Sequence, residues 1–219
     1  MLNDENAYYM LQEIIKFYPD VETELQHQNE FELLIAVILS AQTTDQGVNR
    51  VTPALFRDYP TPEAMAQAEP SDLEPYLQTI GLYRNKAKYI QRCAEQLVED
   101  FDGQVPQTRK EIESLAGVGR KTASVVLSIA FDVPAFAVDT HVERVCKHHR
   151  IVPQDATVRQ VEDRVTQLLS PEQWRQAHQA LVRFGRYICT ARKPRCYDHL
   201  QLFQLPDPSQ EDQLPRQEV

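Results

Sequence analysis

In the stretch LAGVGRKTA, Gly117 and Gly119 stand two apart, directly before Arg120-Lys121 and an apolar helical run. The chain has only six glycines in 219 residues, so a pair at this spacing marks a requirement of the backbone. Glycine permits positive φ and the close approach of another backbone. The helix that follows offers N–H groups with no helical acceptor and the positive end of its dipole, an anion site into which a phosphate fits. Lys121 lies one turn into that helix, beside the site. Farther on, AVDTHVERVC places Asp139 at the start of another helix. An amine becomes a nucleophile when burial or a helix N-terminus lowers its pKa, and a carboxylate can act as its base. Lysine amine, carboxylate and phosphate cradle together suit Schiff-base chemistry on a sugar of DNA. Each has a plain structural reading as well. The glycines can serve a tight helix–helix turn, and Asp139 is a good N-cap for the helix from Thr140. Capping and catalysis are compatible, because a capping carboxylate is rigidly held and stays ionised.

The elements that must position these residues are helical. Proline outnumbers glycine, 14 to 6, and alternating strand-type runs are hard to find. Thr61-Pro62, Ser71 with Glu74, Thr108 with Glu111, Thr157 with Gln160 and Ser170-Pro171 with Gln173 each read as a helix start. Apolar residues at helical spacing follow, as in Leu33, Leu34, Val37, Ile38 and in Val161, Val165, Leu168, Leu169. The expectation is an all-α protein of about ten helices, one of them from Thr108 to near Leu115 and the next starting near Arg120. Length and composition, with 42% hydrophobic and 25% charged residues, fit a soluble globular chain of one large or two small domains. The acidic start MLNDENAYYM and the short apolar stretches predict an intracellular, cytoplasmic protein, and its four cysteines, Cys93, Cys146, Cys189 and Cys196, are expected as thiols. Residues 207–219 are polar and proline-containing and are expected to be a disordered tail.

A net charge of −9 argues at first against nucleic acid. Its distribution argues the other way. Acidic residues crowd the first part of the chain and the tail. Basic ones gather at Arg84-Lys86-Lys88, Arg120-Lys121, Arg144-Lys147-Arg150 and Arg183-Arg186-Arg192-Lys193-Arg195, bracketing the glycine turn.

LLIAVILSAQTTD, TIGLYRNKAKYI, LAGVGRKTASVVL, AVDTHVERVC and GRYICTARKPRC occur in this order and together resemble the endonuclease III family, the helix-hairpin-helix DNA glycosylase/AP lyases. The resemblance implies a two-lobed fold. A six-helix barrel would span 23–133, with the hairpin near 108–131, and 1–22 plus 134–206 would form the second lobe. DNA would lie across the mouth between the lobes with a damaged nucleotide flipped out. Lys121 falls on the family's Schiff-base lysine and Asp139 on its catalytic aspartate. Gln42 and Leu82 fall on residues that fill the gap left by the flipped base, though a turn amide and a core leucine are ordinary alternatives. Ser40 and Asp45 fall near the base pocket, and Asp45 reads equally as a cap for the helix after it. Gly117, Val118, Gly119 and Arg120 would grip phosphate. The implied activity is removal of oxidised pyrimidines and β-elimination at the abasic site, by a monomer on double-stranded DNA. A glycosylase for ultraviolet photoproducts or mismatched bases is an alternative, as is a non-catalytic DNA-binding module. Ala116 stands where the family usually has proline, which should loosen the turn slightly.

The C-terminal end departs further. The family usually carries four cysteines spaced C-x6-C-x2-C-x5-C around a [4Fe–4S] cluster, which takes thiolates at four corners. Here Cys189 and Cys196 keep the first spacing, but the third position is His199 and the fourth is Leu205. No cluster, cofactor or metal is therefore expected, and Leu200, Leu202, Phe203 and Leu205 read as an apolar plug in its place. Zinc on Cys189, Cys196 and His199 would lack a fourth protein ligand. The intervening TARKPR keeps Lys193 and Arg195, charges that in the family contact the DNA backbone.

Overall fold

A computed structural model describes residues 1–196. The expected plug, His199, Leu205 and the 207–219 tail lie outside them. Among the described residues there are eleven α-helices, one short 3-10 helix and no strand. None of these helices is long and apolar enough to cross a membrane. The chain divides into two compact units, Thr23–Ala137 and Met1–Glu22 together with the chain from Val138 onward.

The Thr23–Ala137 unit is built around α2 (Glu30–Leu39). From Phe31 to Leu39 every side chain of α2 is buried, so this helix forms the centre of the core and is almost wholly apolar on all faces. Around it lie α3 (Asp45–Asp58), α4 (Pro62–Ala66), α5 (Pro70–Leu77), α6 (Tyr83–Phe101), α7 (Arg109–Ile112) and α8 (Arg120–Ala130). Helix α6 is amphipathic and turns Ala87, Ile90, Cys93, Ala94 and Leu97 inward. Helix α8 contributes Ala123, Val126 and Leu127 to the same core. Thr61 caps α4 and Thr108 caps α7 as the sequence predicts, each side chain accepting from the amide three residues on. Two starts differ. The α5 box is Glu69 with Asp72 rather than Ser71 with Glu74, because Pro70 occupies the first helical position and makes the residue before it the cap. Helix α7 stops at Ile112 and reaches Leu115 only through turns.

The second unit contains α1 (Asp4–Phe17), α9 (Thr140–His148), α10 (Val158–Leu168), the 3-10 turn Pro171–Gln173 and α11 (Trp174–Tyr187). Capping boxes at Thr157/Gln160 and Ser170/Gln173 start α10 and the 3-10 turn. Helices α9 and α11 cross closely at Gly185. A Cβ there would sit 2.9 Å from the His141 Cβ and 3.2 Å from its carbonyl oxygen, so no larger residue fits without moving α9.

Candidate active site

The two glycines of the hairpin do different work. Gly117 has φ +78°, and a Cβ on it would meet the Tyr89 Cβ at 3.0 Å and the Ile38 Cγ2 at 3.1 Å. Conformation and packing both demand glycine there. Gly119 has an extended backbone, serves as N-cap of α8 without a side chain, and would place a Cβ in open space. Nothing within the protein explains why Gly119 lacks a side chain. What its absence provides is unobstructed access to the first-turn amides of α8, which have no helical acceptor. Val118 between them is buried and donates its N–H to the Leu115 carbonyl at 3.1 Å. Arg120 and Lys121 are exposed on the first turn of α8.

The alanine at 116 does not leave the turn loose. Its N–H, which a proline would lack, donates to Gln96 Oε1 at 2.7 Å, and Gln96 Nε2 donates to the Ser114 carbonyl at 3.1 Å. One α6 side chain thus fastens both sides of the hairpin entry.

Gln42 and Leu82 share an unusual backbone. Among the described residues only five non-glycine residues have positive φ, and these include Gln42 at 54° and Leu82 at 59°. A leucine in the left-handed region is uncommon and costs about 1–2 kcal/mol. Its side chain is also 56% exposed, which excludes the core-leucine reading. Strain together with an exposed apolar side chain marks a functional position. Gln42 is exposed in the turn between α2 and α3.

In sequence Lys86 is one member of a basic cluster, yet in the fold it differs from its neighbours Arg84 and Lys88. It is buried at 3% exposure on the first turn of α6, and its Nζ donates to Thr43 Oγ1 at 2.6 Å. Burial lowers its pKa. The Lys86 contact ties the segment after Gln42 to the helix that follows Leu82. The hydrophilic run Arg84-Asn85-Lys86 gives no hint that one of its members points inward.

Ser40, the C-cap of α2, is half-buried and donates its hydroxyl to the Val37 carbonyl at 2.8 Å. Asp45 is half-buried at the first position of α3. It is not the cap: Thr44 is, accepting from the Gly47 amide at 3.1 Å.

In the other unit, Asp139 caps α9. Its Oδ1 accepts from the backbone amides of His141 and Val142, both at 2.8 Å, which holds the carboxylate half-buried in one orientation. In the Arg144-Lys147-Arg150 cluster, two of the three charges are spent on contacts within the protein. Arg144 Nη2 donates to the Gly185 carbonyl at 2.6 Å and its Nε to the Cys189 carbonyl at 3.1 Å, while Lys147 pairs with Glu143 at 2.7 Å. Lys193 and Arg195 are exposed on the loop after Cys189. That loop is closed by Thr190, whose hydroxyl donates to the Lys193 carbonyl at 2.9 Å, and by the Arg195 amide, which donates to the Ile188 carbonyl at 3.0 Å.

At the two ends of this loop stand Cys189 and Cys196, the pair whose spacing the sequence marks. The tertiary structure brings to them His148 and His149, which nothing in the sequence linked to the cysteines. One ligand atom from each of His148, His149, Cys189 and Cys196 lies within 4.8 Å of all the others. Burial, with a smaller contribution from His148, pushes the His149 pKa down to about 3. A hydrogen bond between the two thiols, reinforced by burial, raises Cys189, and the same bond lowers Cys196. A [4Fe–4S] cluster needs four thiolates, and this group supplies two thiols and two imidazoles, so it does not fit the cluster.

The chain matches the family described as HhH-GPD superfamily base excision DNA repair protein over residues 35–171. It is 48% identical to endonuclease III of Bacillus subtilis (strain 168) over 196 residues, covering 90% of each chain. A solved non-covalent endonuclease III–DNA complex superposes with a TM-score of 0.90 at 45% identity, covering 97% of this chain and 99% of the other. A trapped endonuclease III–DNA covalent intermediate gives 0.87 at 47% identity, covering 90% and 92%. The chain belongs to the endonuclease III family of HhH-GPD base excision DNA repair proteins.

Proposed function

We propose that this chain is a bifunctional DNA glycosylase and AP lyase that removes damaged pyrimidines from double-stranded DNA and then cuts the abasic strand, acting as a DNA-associated cytoplasmic monomer. The observation that carries the reading is the hairpin. Gly117 makes the turn, Gly119 leaves the α8 amides accessible, and Lys121 stands exposed on the same first turn. A phosphate held by those amides brings its sugar within reach of a lysine amine on the same helix turn.

In the reaction, the Lys121 amine attacks C1′ of the damaged nucleotide. The bond from C1′ to the base breaks, and the base leaves with a proton. The C1′–O4′ bond then opens as O4′ takes a proton, giving an iminium that acidifies the 2′ hydrogen. Loss of that hydrogen expels the 3′ phosphate and cuts the strand, and water hydrolyses the Schiff base to free Lys121. Asp139 supports the positive charge at C1′ and accepts protons, a role suited to a carboxylate kept rigid by two amides. Gln42 and Leu82 occupy the gap in the duplex, and Ser40 and Asp45 face the flipped base. Arg120, Lys193 and Arg195 neutralise phosphates, contributing position rather than base choice. Folding and catalysis proceed without a [4Fe–4S] cluster.

Borohydride reduction tests the mechanism, because only a Schiff base is trapped. The wild-type enzyme is expected to become covalently attached to abasic duplex DNA. Lys121→Ala is expected to lose both trapping and strand cutting while still binding that DNA. A trapped complex with Lys121→Ala would place the nucleophile elsewhere. Duplexes each carrying one lesion, scored for released base, define the substrate range.

A further inference from the structure

Two cysteines remain from a four-thiolate pattern, and the fold does not leave them alone. His148 ends α9 and His149 is its C-cap, with backbone already departing from the helix at φ −87° and ψ 11°. Leaving the helix at this point lets two adjacent histidines, whose rings are centred 5.1 Å apart and nearly perpendicular, turn toward one place. Cys189 and Cys196 come from the end of α11 and from beyond the basic loop. His149, Cys189 and Cys196 are 3%, 1% and 0% exposed.

We propose that His148, His149, Cys189 and Cys196 form a structural zinc site that replaces iron–sulfur ligation in this chain and staples the basic 190–195 loop. Two thiolates and two imidazoles are a standard tetrahedral zinc set, with bonds of about 2.0–2.3 Å and hence about 3.3–3.8 Å between ligand atoms. The four ligand atoms lie no more than 4.8 Å apart, so small side-chain adjustments close them on one ion. Binding releases the two thiol protons to solvent. The complex of Zn²⁺ with two thiolates and two neutral imidazoles carries no net charge, which suits a buried position. Mixed sulfur and nitrogen donors in tetrahedral array select zinc over magnesium or calcium. With four protein ligands the site has no open position for substrate, and its role is to hold structure. Arg144, bonded to the Cys189 and Gly185 carbonyls, supplies a fixed positive charge and fastens the backbone behind the ligands.

The test is metal analysis of the full chain, purified under reducing conditions from medium containing both iron and zinc. About one zinc per chain and negligible iron are expected. Replacing zinc with cobalt should yield the visible bands of a tetrahedral site together with thiolate-to-cobalt charge transfer. Cys196→Ser and His149→Ala should each lose bound zinc and weaken cobalt binding by at least about tenfold. Protein free of zinc, zinc that persists in both variants, about four irons per chain, or a Cys189–Cys196 disulfide in place of two metal-bound thiolates would each overturn the site. The wild-type cobalt spectrum is decisive even where a variant fails to fold, since absence of the charge-transfer band excludes thiolate ligation.

Discussion

The ammonium of Lys86 donates to the hydroxyl of Thr43 at 2.6 Å, joining the residue after Gln42 to the first turn of the helix that begins after Leu82. Lys86 also closes that turn through its amide, which donates to the Leu82 carbonyl at 3.0 Å. A buried cation with one short hydrogen bond therefore braces both strained segments.

Removing its acceptor should be worse than removing the charge. Thr43→Val leaves a buried ammonium poorly paired and should destabilise by about 1–3 kcal/mol, whereas Lys86→Met removes the ammonium altogether and should cost less. The pH dependence has a defined sign. Burial puts the Lys86 pKa below its ordinary 10.5, so between the two values the unfolded chain binds more protons. Stability contributed by Lys86 must then rise with pH through the window below 10.5. Urea unfolding at about pH 7 and about pH 10 should show wild type gaining on Lys86→Met at the higher pH. A difference that stays constant or reverses would refute the buried-charge account.

Leu82→Ala and Gln42→Ala should separate paired from unpaired substrates. Both side chains are exposed and neither supports the core, so the variants should fold normally. Loss of the gap-filling groups should slow excision from duplex far more than from single strands, where little unstacking is needed. Equal losses on the two substrates would assign both residues to other roles.

The hairpin glycines should respond in opposite ways. Gly117→Ala forces an L-residue into φ +78° against Tyr89 and Ile38 and should lower stability by about 2–5 kcal/mol, the sum of a left-handed penalty and overpacking. Gly119→Ala has open space and an ordinary φ, so its cost should stay below about 1 kcal/mol, the scale of an N-cap change. The methyl group would nevertheless obstruct a phosphate, and DNA affinity should fall. Melting curves and titrations of a fluorescent abasic duplex measure the two effects separately. Unchanged affinity in Gly119→Ala would remove that glycine from the interface.

Asp139 carries a cap and a charge that can be split. Asn can still accept from the His141 and Val142 amides, whereas Ala cannot, so Asp139→Ala should cost about 1 kcal/mol more than Asp139→Asn. Both should reduce single-turnover base release by about 10² or more, the scale of a lost proton-transfer group. Full activity in Asp139→Asn would confine the residue to capping.

By itself the sequence determined the helical architecture, most caps and the hairpin, because these depend on neighbours in the chain. Thr61, Thr108, Thr157 and Asp139 reach amides only two or three residues away, and helical periodicity sorts α2 from the amphipathic helices around it. Local chemistry also made Lys121 and Asp139 readable as candidates. Other features depend on which residues meet across the fold, and only the tertiary structure decided them. It turned Lys86 inward from a basic run, used Gln96 of α6 to hold the hairpin at Ala116, and showed that Gly117 is confined while Gly119 is open. It also brought His148 and His149 to Cys189 and Cys196. Sequence spacing constrains metal ligands on one loop or helix. It says nothing of a pair at the end of α9 meeting a pair beyond α11, because the close crossing at Gly185 that joins those helices is a matter of packing.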